Sequence, residues 1–129
     1  MSKTATYLSW AGQIVAGAIL LIAMAPKLLG APESIELFRE LGAEPWGRYI
    51  VGVVELVAAA LLLVPGTGKH AIGALIAAGA MVGALGSHAW RLGFSGDTGA
   101  MAGMATLVLA ASLLVLYLRR GELTGPRNA

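Results

Sequence analysis

Four unbroken apolar runs constrain this chain more than any other feature. They cover residues 7–26, 46–64, 70–91 and 99–118, and each ends in helix breakers or basic residues. At a rise of about 1.5 Å per residue, each is long enough to cross a hydrocarbon core of about 30 Å as a helix. The apolar residues do not alternate with polar ones, which excludes a transmembrane barrel. Composition agrees: 57% of the 129 residues are hydrophobic and only 12% are charged. A soluble domain carries about twice that charge, and a disordered chain needs low hydrophobicity. The expected fold is an all-α membrane protein, a single domain over residues 1–129 built as a four-helix transmembrane bundle.

The connections are short except for the first. Pro65-Gly66-Thr67-Gly68-Lys69 and Gly93-Phe94-Ser95-Gly96-Asp97 read as tight turns. Residues 32–41 instead carry a helical pattern. Pro32 suits a first turn, Glu33 and Glu36 favour the N-terminal end, and Gly42 suits the stop. Ile35, Phe38 and Leu41 recur at helical spacing, so a short amphipathic helix is expected between the first two spans, at the interface or packed on the bundle as a connector.

Aromatic residues support four spans. Tyr7, Trp10 and Tyr117 fall at one end of the bundle, and Trp46, Tyr49 and Trp90 at the other, as in a double interfacial belt. Lys3, Lys69, Arg119, Arg120 and Arg127 share the end of the termini, against Lys27, Arg39, Arg48 and Arg91 opposite. This small bias points to a multi-pass cell-membrane protein with both termini cytoplasmic. The pairs Gly12/Ala16, Gly73/Ala77, Gly79/Gly83 and Gly99/Gly103 have the spacing that brings helix backbones together. They suit internal packing better than a homo-oligomer.

Glu55 is the informative charge. It lies nine residues after Trp46, so roughly 13 Å below the interface. A carboxylate near the bilayer centre is costly, roughly 2.5–3.5 kcal/mol on insertion scales, and normally pairs or lines a pathway. Lys27, at the end of the first span, and His88, towards the end of the third, share its half of the bundle. Gln13 lies nearer the other end. Glu55, Lys27 and His88 form the candidate site, with a ligand-binding or proton-relay role. Against this stands an ion pair that merely fixes helix register, a capping role for His88, and interface anchoring for Lys27.

Other chemistries fail on inventory. With no cysteine there is no disulfide, dithiol centre or iron–sulfur cluster, and zinc would lack thiolate ligands. His70 and His88 sit at opposite ends of one span, so a bis-histidine haem is not expected. No basic patch points to nucleic acid, and Gly66-Thr67-Gly68-Lys69 lacks the context of a phosphate-binding loop. Met81, Met101 and Met104 suit the soft wall of a pocket for an apolar ligand.

Lys27-Leu28-Leu29-Gly30, Leu41-Gly42, Gly52-Val53-Val54-Glu55-Leu56, Leu61-Leu62-Leu63-Val64-Pro65 and the stretch from Ala84 to His88 resemble the DoxX-like family. The resemblance implies a small four-helix membrane protein with a lysine and a glutamate where Lys27 and Glu55 stand. It also implies links to thiosulfate:quinone oxidoreduction or membrane oxidoreductase complexes for some relatives, and chaperone-like or trafficking roles for distant ones. Thiol chemistry from a related redox group does not transfer to a chain without cysteine. The expected function is binding of a small apolar, quinone-like molecule in a redox-associated complex with a membrane protein partner. A minimal proton-coupled transporter and a non-catalytic scaffold or assembly factor are the alternatives.

Overall fold

In a computed structural model, residues 1–124 are described, and Arg127 lies outside them. Helix α1 spans Lys3–Leu29, α2 Pro32–Glu40, α3 Trp46–Leu63, α4 His70–Ser87, α5 Gly96–Leu118 and α6 Gly121–Thr124. A π-helical turn, His88–Leu92, extends α4. Four helices, counting α4 with that turn as one, are long and apolar enough to cross a membrane. Each of α1, α3, α4 and α5 packs mainly on two neighbours, in the ring order α1–α3–α4–α5. The start of α1 and the end of α5 therefore lie at one end of the bundle, here called the near end. The far end carries the α1–α3 connection and the π-helical turn.

Three boundaries differ from the sequence reading by three residues or more. α1 begins four residues early, at Lys3, where Ser2 Oγ accepts from Ala5 N–H at 3.1 Å. α1 continues past Pro26 to Leu29. Proline lacks an N–H but keeps helical φ, and the carbonyls beyond it are used. Ala31 N–H donates to Pro26 O at 2.9 Å, and Arg48 Nη1 donates to Lys27 O. Gly30, at φ 74°, turns the chain out of the helix in a left-handed conformation that glycine adopts without steric cost. α5 begins three residues early, at Gly96, because Ser95 holds the first turn: Thr98 Oγ1 donates to Ser95 O at 2.7 Å.

The core is built from alanines, with Ala16, Ala58, Ala59, Ala74 and Ala77 fully buried around Leu20, Leu62 and Val108. Small side chains let the helix axes approach, and close packing supplies the attraction between helices where lipid is as apolar as the core. In the near half, glycine brings α4 against α3 and α1 against α5. A Cβ on Gly73 would stand 2.8 Å from Leu61 Cβ, and one on Gly12 would stand 3.0 Å from Val115 Cγ2. By contrast Gly79, Gly83 and Gly103 have open space beside them. The Gly12 and Gly73 pairs thus serve internal packing, whereas Gly79/Gly83 and Gly103 do not. The bundle is tight at its near end and open towards the far one.

Candidate functional site

That opening is a cavity of about 740 Å³ in the far half of the bundle, within the usual size range of small-molecule sites. All four long helices line it. Leu20, Ala105 and Val108 form its floor, above the buried alanines. Leu37, Phe38 and Leu41, on α2 and just after it, close the far end together with Leu92. α2 is thus more than a connector: its apolar side roofs the cavity, and Phe38 is buried beneath it. Met81, Met101 and Met104 all stand in the wall, and the flexible thioether lets such a wall adapt to irregular shapes.

Lys27, Glu55 and His88 all line this cavity. Lys27 Nζ lies 3.0 Å from Glu55 Oε1, and their side chains are 14% and 4% exposed. Glu55 Oε1 is buried, and the Lys27 ammonium is the group that faces it. Lys27 Nζ spends one N–H on Ala23 O at 3.0 Å. Its backbone is pinned as well, because Arg48 bridges Lys27 O to Glu44, donating from Nε to Glu44 Oε1 at 2.8 Å. Gly52 brings α1 and α3 together beside the pair, since a Cβ there would stand 2.7 Å from Leu28.

His88 shares the cavity wall but has no contact with the pair at hydrogen-bond distance. Its Nδ1 is 2.9 Å from Gly93 O, and its ring packs on Phe94 with centroids 5.9 Å apart. A carbonyl only accepts, so Nδ1 carries the proton, and in the neutral ring Nε2 is an acceptor. The histidine fastens the π-helical turn and still belongs to the lining. Arg48, read from sequence as an interface charge, is buried and holds the site together.

A second polar cluster sits at the near end. Gln13 is fully buried and accepts from Ser9 Oγ at 2.7 Å and from Arg119 Nε at 2.9 Å. Its Nε2 donates to Leu62 O at 2.6 Å. Arg119 also pairs with Glu122 at 3.5 Å, and Glu122 Oε1 accepts from Ala71 N–H at 2.7 Å, where α4 begins. His70 Nδ1 donates to Leu61 O at 2.9 Å and stacks edge-on against Trp10. Arg119 is thus drawn inward rather than left at the interface. The only hint in the sequence is the Ser9–Gln13 spacing of one helical turn on an apolar helix. Among the described residues, no three His, Asp or Glu side chains come together as a metal site.

These features define a class: a multi-pass helical membrane protein whose bundle encloses an apolar cavity with a buried lysine–glutamate pair in its wall. More particularly, the chain belongs to the DoxX-like family, whose model matches residues 11–115. No curated protein and no solved structure matches it.

Proposed function

We propose that this protein binds a small, partly apolar, quinone-like molecule in the far cavity, as part of a redox-associated membrane complex. The carrying observation is the buried Lys27–Glu55 ion pair, 3.0 Å apart, in the wall of a ligand-sized apolar cavity. Two charges taken out of water together are costly unless further partners satisfy their remaining atoms. Glu55 accepts a hydrogen bond or proton from the bound head group, Lys27 holds the carboxylate in place, and His88 contributes a further polar contact. The membrane is the cell membrane, with the near end, which carries Lys3, Lys69, Arg119 and Arg120, in the cytoplasm.

Two features favour binding over the alternatives. A transporter needs a route across the bundle, but fully buried apolar residues lie between the cavity and the Gln13 cluster. A scaffold with a purely structural ion pair would gain from filling the space beside it. The test is mass spectrometry of small molecules that co-purify with the wild type and with Glu55→Gln in mild detergent. The reading expects a stoichiometric lipid-soluble molecule that is reduced several-fold by the substitution. Equal retention by both forms would remove Glu55 from the site, and turnover unchanged in Glu55→Gln would end its proton role.

A further inference from the structure

α2 is the wall of the cavity that the fold holds least firmly. The four long helices interlock through buried alanines and close glycine contacts. Of the nine residues of α2, only Phe38 is buried. Glu36 and Arg39 pair with each other, both well exposed, and not with the bundle. Among the described residues one hydrogen bond joins α2 to the bundle helices, from Arg91 Nε to Glu40 O at a long 3.4 Å. A segment with so few buried contacts lies at the low end of local stability.

The chain on either side of α2 is held quite differently. Gly30 and Gly42 flank the helix, both left-handed, at φ 74° and 73°. A Cβ on either would meet nothing closer than 3.7 Å, so both turns have room to move. Beyond each glycine the chain is fixed, and by one side chain. Arg48 is buried and donates to Lys27 O before Gly30 and to Glu44 after Gly42. The segment between those anchors therefore leaves and rejoins the bundle at neighbouring points, as a flap with both joints on one side. Phe38 holds the flap down: its ring lines the cavity and lies over Gly47, where an added Cβ would stand 3.9 Å from it.

The sides of the cavity do not lead to water. Ile22, Ile50 and Met101 line it and are exposed, so those sides border acyl chains. α2 instead carries exposed Glu33, Glu36, Arg39 and Glu40 and marks the far membrane surface. We infer that α2 is a lid, swinging on Gly30 and Gly42 with Phe38 as its latch, which admits water and polar solutes from the far surface to the cavity. The inference rests on the cavity and α2, and not on any occupant.

The chain has no cysteine, so one introduced thiol is a unique probe. Ala105→Cys places it on the cavity floor. Ser112→Cys, at a fully buried position outside the lining, is the control. The full chain in phosphatidylcholine nanodiscs is treated with trimethylammonioethyl methanethiosulfonate, a cation that does not cross acyl chains, and mass spectrometry follows the modified fraction. Phe38→Ala is expected to speed modification in Ala105→Cys at least five-fold and to leave the Ser112→Cys thiol unreacted. Leu29→Ala, at an exposed position at the same end that does not line the cavity, changes neither rate. Circular dichroism establishes folding, and Phe38→Leu repeats the comparison if Phe38→Ala is unfolded.

An unchanged rate in Phe38→Ala overturns the latch and the lid with it. Equal acceleration of both thiols means that the whole bundle has loosened, and it overturns the lid as well. In either case a molecule that co-purifies with the wild type and is lost in Glu55→Gln would uphold binding, so the two readings fail separately.

Discussion

Lys27→Met removes the cation from the buried pair and leaves Glu55 in place, and its cost can be worked from the geometry. At 3.0 Å and an effective dielectric of about 20, two unit charges attract by about 5 kcal/mol. Breaking a buried pair by deleting one partner typically costs about 3–5 kcal/mol, because the remaining charge keeps its desolvation penalty. Lys27 is 14% exposed and Glu55 4%, so the surviving charge is the more deeply buried one. The expected loss is therefore about 3–5 kcal/mol. The double substitution Lys27→Met/Glu55→Gln leaves no charge behind and should recover most of the loss. Reversible unfolding in mixed micelles, titrated with dodecyl sulfate and followed by tryptophan fluorescence, measures both. If Lys27→Met falls within about 1 kcal/mol of the wild type, the carboxylate does not depend on the lysine and the reasoning fails.

Gly73→Ala should destabilise the bundle by about 1–3 kcal/mol, since its Cβ meets Leu61 and the α3 backbone; Gly83→Ala, beside open space, should be neutral or gain up to about 1 kcal/mol in helix propensity, and the same unfolding assay compares them. Gln13→Leu removes the acceptor of Ser9 and Arg119 and should cost about 1–3 kcal/mol, read as a lowered unfolding midpoint. Glu122→Ala uncaps the start of α4 and should cost about 1 kcal/mol, with faster hydrogen exchange at the Ala71 amide.

The spans were legible because apolar runs of this length have one physical outcome in a membrane. The Lys27–Glu55 pairing was legible for a related reason: a carboxylate at that depth needs a partner, and only a few side chains share its level. His88 lies in the half of the bundle the sequence reading gave it but does not touch the pair, since its bond to Gly93 depends on a π-helical turn that no local pattern announces. The Ser9–Gln13–Arg119 cluster joins residues more than a hundred positions apart, and the arginine looks like any helix-end anchor. Met81, Met101 and Met104 suggested a pocket wall, but the size and position of the cavity could not be read from the sequence. Gly73 and Gly83 carry the same spacing signal, and only the splay of the helices decides that one touches a neighbour while the other borders open space.

Under the proposed function, the far cavity also ties the stability of this protein to what dissolves in its bilayer. A molecule that fills it in the folded state and has no affinity for the unfolded chain raises the unfolding free energy with its logarithmic concentration, by about 2.7 kcal/mol at a hundred times its dissociation constant. Successive detergent washes should therefore lower the melting temperature stepwise. Adding back the right lipid fraction should restore it, so that a melting curve becomes a titration of membrane content.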